Sequence, residues 1–320
     1  MCEHRMTERK EKMATRTAVT STHPDRGVLT YFFIFVLLSG GGPVAMRISY
    51  SEMPPFWISF LRFGLASMIF WILTAFKRIH FPKGRALIGT LLYGVLGFGI
   101  SFILLSWGLV KTSASLGAIF LALIPLMTII LSSLEGVEPL TPRSIFGSIL
   151  SVIGTFIAVG AASASYEVSI IHIGAMIIGA AFLAQGSVVV KRYPASHPII
   201  TNALAMLVAA FIIAMASWVV GETWVIPSQL RTWAALGYLV LFVSLAGNLL
   251  FLQVLNKWTA SRTSYGFVII PFVTVIFSAI LTGEQITVNF LMGVVLVVAG
   301  VVIGALLPHR EPVAAECATC

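Results

Sequence analysis

Apolar residues along this chain run in long blocks, not in the stripes of a water-facing helix. Ten blocks of 18 to 25 residues cover 29–46, 54–76, 86–110, 112–134, 144–166, 168–190, 198–221, 232–256, 263–283 and 285–307. About 20 apolar residues are needed to carry a helix across a hydrocarbon core. Polar punctuation falls between the blocks, in Pro-Pro, Lys-Arg and Gly-Glu clusters. Inside the blocks Arg62 alone stands for the Lys, Arg, Asp and Glu residues. The pattern predicts an all-α polytopic membrane protein with ten transmembrane helices.

The second regularity is repetition. Residues 104–154 align without a gap on residues 250–300, and 16 of the 51 pairs are identical. Leu, Ile and Val matches arise by chance in apolar sequence. Lys111/Lys257, Pro125/Pro271, Glu138/Glu284, Thr141/Thr287, Gly147/Gly293 and Gly154/Gly300 in one register do not. Weaker matches extend it upstream: Gly42 pairs with Gly186, and Pro55 with Pro198. Arg62 faces Ala205 and has no counterpart. Ten spans in two repeats give five per repeat, and an odd number of crossings turns the second repeat upside down. The expected domains are a basic tail over 1–28, a first five-helix repeat over 29–166, a second, inverted repeat over 168–307, and a tail over 308–320.

Composition narrows the class. Hydrophobic residues make up 58% and charged residues 10% of the chain, with a mean hydropathy of +0.98. That range belongs to membrane proteins. The net charge of +8 lies in loops and tails, so it is no nucleic-acid footprint. With an inside N-terminus, sixteen basic residues fall on the inner side and three (Arg47, Lys111 and Arg231) on the outer. Both termini are therefore expected in the cytoplasm, with the protein in the cell (inner) membrane. No short apolar core with a cleavage site precedes the first block. Cys2, Cys317 and Cys320 sit in the tails and build no disulfide framework.

The repeated Ile-Pro…Glu-x2-Thr-x5-Gly-x6-Gly, at Ile124–Gly154 and Ile270–Gly300, lies on ten spans that also carry Pro54, Pro55 and Arg62. In these features the chain resembles the EamA-type members of the drug/metabolite transporter superfamily. The resemblance covers residues 29–307. It implies a secondary transporter exporting small metabolites, amino acids (aromatic ones among them) foremost, by alternating access. The motifs are scaffold and leave the substrate open. A flippase or carrier of a lipid-linked or drug-like amphiphile is the alternative. An enzyme is the rival class, but the blocks hold no Asp, Glu, Lys or Cys and no His-x-x-His spacing. No catalytic residue, cofactor or metal is expected. The expected partners are a small-molecule substrate and membrane lipid, with no nucleic acid, in a monomer or homodimer.

Site candidates follow from cost and from helix breaks. A central Arg costs about 2.5–3.5 kcal/mol to insert, so Arg62 should face a cavity or a partner. Helix carbonyls, Gln185, Asn248 or a substrate carboxylate are its available companions. Tyr93, Trp107 and Tyr265 are further candidates for a cavity wall, although such residues also anchor interfaces. Helix breaks or gates are expected at Gly42 and Pro43, at Gly186, and at Pro125 and Pro271. Glu138/Thr141 and Glu284/Thr287 read as helix starts. The four glycines spaced by seven read as a close-packing face, within the chain or between two copies.

Overall fold

The structure is a computed structural model and describes residues 26–111, 120–160, 169–282 and 288–306. The described residues are helical and contain no strand. Seven helices are long and apolar enough to cross a membrane, and three shorter apolar ones lie at 124–134, 142–157 and 291–304. We label the helices α1 (Arg26–Gly40), α2 (Gly42–Ser49), α3 (Pro55–Phe76), α4 (Arg85–Leu92), α5 (Ser101–Val110), α6 (Ile124–Leu134) and α7 (Pro142–Gly160). The second half continues with α8 (Ile170–Arg192), α9 (Pro198–Val220), α10 (Leu230–Tyr238), α11 (Asn248–Lys257), α12 (Ala260–Ser264), α13 (Gly266–Thr282) and α14 (Val288–Val301). Glu284 and Thr287 lie outside the described residues, as do residues 1–25 of the first tail and all of the second.

Proline sets the helix starts. Pro55, Pro125 and Pro198 occupy the first turn of α3, α6 and α9, where a missing N–H costs nothing. Pro142 opens α7, and Thr141 Oγ1 accepts the Ser144 N–H at 3.2 Å as its cap. Glu138 does something the sequence did not suggest. It accepts the Ala260 and Ser261 N–H groups, the latter at 3.2 Å, and so caps α12 in the other half of the chain. The carboxylate sits at the positive end of that helix.

Repeat mates pack on each other. Helices α7 and α14 cross where a Cβ on Gly147 would stand 2.7 Å from Gly300 O, and one on Gly154 2.9 Å from Gly293 O. As one index rises the other falls, so the two helices are antiparallel. The seven-residue glycine spacing is thus an intrachain contact. Helices α3 and α9 pack in the same sense: Gly64 approaches Ala210, while Ser67 Oγ donates to Ala203 O at 2.8 Å. With no hydrophobic drive between helices in lipid, small residues and such hydroxyl bonds supply the association.

Besides Val302–Leu306 at the end of the last described helix, two helices contain a stretch of wider, π-type turn. Residues Tyr93–Ile100 join α4 to α5, and Leu239–Gly247 join α10 to α11. The two stretches start 146 residues apart, the offset of the sequence repeat. Nothing in the apolar pattern announces them, since a five-residue and a four-residue turn look alike in a segment apolar on every side. Single π turns gather at functional sites.

At one end of the molecule Glu52, between α2 and α3, accepts bonds from Ser228 and Thr232 side chains and the Ser228 and Gln229 N–H groups. Beside it Glu222 accepts the Phe56 and Trp57 N–H groups at 3.1 and 2.8 Å, capping α3. At the other end Glu135 binds Arg192 at 2.8 Å and receives the Gln185 amide.

Candidate functional site

Between the halves lies a cavity that opens to the surface, with about 1020 Å³ of empty space counted out through its mouth. Its wall is mostly apolar. Phe98, Phe102, Leu105 and Leu109 come from the first π-bearing helix, and Val243, Asn248 and Phe251 from the second. Phe35, Ser39, Gly42, Pro43 and Met46 come from α1 and α2, and Phe267 and Ile270 from α13.

A one-residue turn at Gly41, inside the Gly-Gly-Gly-Pro run, separates α1 from α2. Pro43 brings no N–H to this turn, and side chains of the second half donate to two carbonyls before it. Tyr238 Oη donates to Leu38 O at 2.8 Å, and Thr274 Oγ1 to Gly40 O at 2.7 Å. A broken helix at membrane depth is tolerated where other helices satisfy it. A Cβ at Gly41 would run into the Tyr238 ring, whose hydroxyl is tied to Leu38 O.

Arg62 lies on the cavity wall, 5% exposed. Its Nε donates to Ser244 Oγ at 2.7 Å, and its guanidinium carbon stands 4.8 Å from the Phe63 ring centre and 5.1 Å from that of Phe102. Two aromatic faces and one hydroxyl replace part of its hydration. No carboxylate pairs with it among the described residues. Tyr50 also lines the cavity, and its buried hydroxyl has no hydrogen-bond partner among them. Ser59 and Ser106 pair at 3.0 Å, and Ser106 reaches the wall.

Asn248 opens α11. Its Nδ2 donates to Val243 O and Ser244 O, both at 3.2 Å. Those carbonyls belong to the second π segment, which also receives the Asn248 N–H five residues back at Val243 O. Ser244 thereby holds Arg62 with its side chain and Asn248 with its carbonyl.

Arg62, Tyr93, Asn248, Gly42 and Pro43 thus meet at one cavity. The other expected residues are placed elsewhere. Trp107 is 38% exposed and stacks on His172 at 4.5 Å. Gln185 is engaged by Glu135. Tyr265 is fully buried, bonded to Ser148 Oγ and Ser144 O at 3.0 Å, and ties the α12–α13 junction to α7. Two expected breaks are corrected. Gly186 lies inside the unbroken helix α8, where it admits the backbone of Gly97; without a proline, one glycine does not open a helix. Pro271 sits inside the unbroken α13, whereas its mate Pro125 begins α6 after a turn at Ala122 and Leu123.

Sequence reasoning missed Ser244, Tyr50, Phe98 and Phe102. One signal was available: the 146-residue offset, carried upstream of Leu104, pairs Phe98 with Ser244 and Phe102 with Asn248.

Comparison with known proteins agrees with this architecture. The chain is 28% identical over 250 residues to the uncharacterized transporter YyaM of Bacillus subtilis (strain 168), covering 75% of this chain and 81% of that one. It is 26% identical over 296 residues to protein PagO of Salmonella typhimurium, covering 90% and 96%. It is 26% identical over 264 residues to the uncharacterized inner membrane transporter YedA of Escherichia coli K12, covering 80% and 83%. A solved crystal structure superposes with a TM-score of 0.74 at 16% identity, over 90% of this chain and all of the other, which supports the fold alone. The model of the EamA-like transporter family matches twice, at residues 26–160 and 170–305, one match in each half of the repeat. The chain is a multi-pass membrane protein and belongs to the EamA-like transporter family.

Proposed function

We propose that this protein is a secondary transporter exporting small amphipathic carboxylates, amino acids first among them, by alternating access across ten spans in two inverted repeats. The seven long and three shorter apolar helices supply the spans. The antiparallel packing of the repeat mates α3/α9 and α7/α14 supports the inversion. The basic-residue count then puts the Glu52 end outside, the Glu138 end and both tails inside, and the protein in the cell inner membrane.

One observation carries the substrate reading: a buried guanidinium faces a cavity and has no protein carboxylate among the described residues. A ligand that brings a carboxylate completes the pair, and the planar fork of Arg holds it with two parallel bonds. Ser244 takes Nε and leaves both terminal nitrogens for that contact. The apolar remainder of the wall suits the ligand's side chain. In the inverted-repeat arrangement such a site lies near the midplane, at the interface of the halves.

The test is uptake and binding in proteoliposomes with a panel of labelled amino acids. Arg62→Leu is expected to abolish binding while the protein still folds, and Arg62→Lys to bind weakly. Unchanged affinity in Arg62→Leu would make Arg62 a helix clamp and move the anchor elsewhere.

A further inference from the structure

We infer that Asn248 and Ser39 form an ammonium subsite beside Arg62, so that the cavity selects zwitterionic amino acids over plain carboxylates of the same shape. The inference rests on the carboxylate-anchoring role proposed for Arg62 and adds a second, opposite pole to it.

The orientation of Asn248 is decided by chemistry. Val243 O and Ser244 O are both acceptors, so only the NH2 side of the amide can face them. The Oδ1 atom therefore points away from those carbonyls, has no partner among the described residues, and belongs to a side chain on the cavity wall. The second π segment holds it there, because its wide turn presents two carbonyls on the side of Asn248. The donor NH2 is consumed and the acceptor is left over.

Ser39 supplies the neighbouring oxygen. It lines the same cavity, and a Cβ built on Gly247, the residue before Asn248, would lie 3.4 Å from its Oγ. Ser39 and Asn248 thus belong to the same stretch of wall, where the α1–α2 break meets the second π segment. Both are neutral, so an ammonium meets acceptors without a fixed charge that would close on Arg62 instead. Arg62 is fastened to the same segment through Ser244. Arg62 offers donors and the Asn248–Ser39 pair offers acceptors, as the two charges on one α-carbon require. Phe98, Phe102 and Phe251 remain for the side chain of the substrate.

The experiment compares three probes on the full-length protein: L-phenylalanine, 3-phenylpropanoate, which lacks the amine, and phenethylamine, which lacks the carboxylate. A hydrogen bond to a charged group corresponds to an affinity change of about 10- to 100-fold. Wild type is expected to prefer phenylalanine to 3-phenylpropanoate by that factor. Asn248→Ala, which leaves room for water at the two carbonyls, should remove most of the preference by weakening phenylalanine alone. Ser39→Ala should remove part of it and serves if Asn248→Ala does not fold. Arg62→Leu should weaken both carboxylates and leave phenethylamine unchanged. Equal wild-type affinity for phenylalanine and 3-phenylpropanoate overturns the ammonium subsite and spares the carboxylate anchor. So does an equal loss for both probes in Asn248→Ala, which would make Asn248 a support for Arg62 through Ser244. Indifference of both carboxylates to Arg62→Leu removes the anchor itself.

Discussion

Helix α8 contains three glycines whose surroundings differ, and they turn the packing argument into an ordered series. A Cβ on Gly174 would meet nothing within 4 Å. One on Gly179 would lie 3.0 Å from Leu105 Cγ, with Ser101 O at 3.1 Å. One on Gly186 would lie 2.5 Å from the Cα of Gly97 and 3.0 Å from its nitrogen. In a helix interior, Gly→Ala lowers the conformational cost by about 0.5–1 kcal/mol. Crowding a packed site costs about 1–3 kcal/mol, toward the upper end when the obstacle is backbone and cannot rotate away. Gly174→Ala should therefore stabilise by up to about 1 kcal/mol. Gly179→Ala should fall between the other two, because the Leu105 side chain can give by a few tenths of an ångström while the Ser101 carbonyl cannot. Gly186→Ala should destabilise by about 1–2 kcal/mol net. Thermal unfolding in detergent reads the order, at about 2–4 °C of Tm per kcal/mol. Tyr93 packs against both Gly97 and Gly186, so Gly186→Ala should also lower transport while Gly174→Ala does not. A Gly186→Ala protein as stable as Gly174→Ala would refute the claim that close backbone approach governs this crossing.

Two further outcomes follow from the ends of the molecule. Hydrogen bonds from Ser228 and then Thr232, with the Gln229 and Ser228 N–H groups, hold the Glu52 carboxyl down from its usual 4.5 to about 2. The group lies between helices and contributes stability that is fully present above pH 4.5 and is lost as pH falls toward 2. The Tm gap between wild type and Glu52→Gln should thus be constant from pH 7 to 5 and shrink by pH 3; a pH-independent gap would show that Glu52 binds these partners equally well when protonated. For sidedness, Ser51→Cys should react with an impermeant thiol reagent on whole cells and Lys83→Cys should not, in a protein freed of its own cysteines; the reverse labelling would invert the proposed orientation.

The sequence made the helices legible because their ends are written in chemistry that acts locally. Pro55, Pro142 and Pro198 suit the first turn of a helix and Thr141 its cap, whereas Pro125, expected as a break inside a span, begins a helix and its mate Pro271 lies within one. Arg62 was legible by cost alone. The partners of these residues were not, because in lipid a helix is apolar on every side and periodicity does not say which face meets protein. Ser244 is one hydroxyl among many, and only the fold brings it to Arg62. Trp107, Gln185 and Tyr265 were chosen by residue type, and each found its use in a contact between helices. Glu138 was read against the helix that follows it in sequence, whereas its carboxylate reaches the helix nearest in space.

The duplicated scaffold also explains why the site itself is not duplicated. The π segments recur at the repeat offset, so each half brings the same wide turn to the cavity. What hangs from the turn differs. The first half places Phe98 and Phe102 where the second places Ser244 and Asn248, and Arg62 stands where the second half has Ala205. The first segment keeps three glycines and uses them for contact: a Cβ on Gly94 would stand 2.7 Å from Ala205 O. The second uses its turn to present carbonyls to Asn248. The symmetric elements, α7 on α14 and α3 on α9, are scaffold and could be copied unchanged. An amino acid, the substrate proposed above, has one charged end of each sign and one apolar part, so a cavity built to receive it would lose the symmetry of its walls.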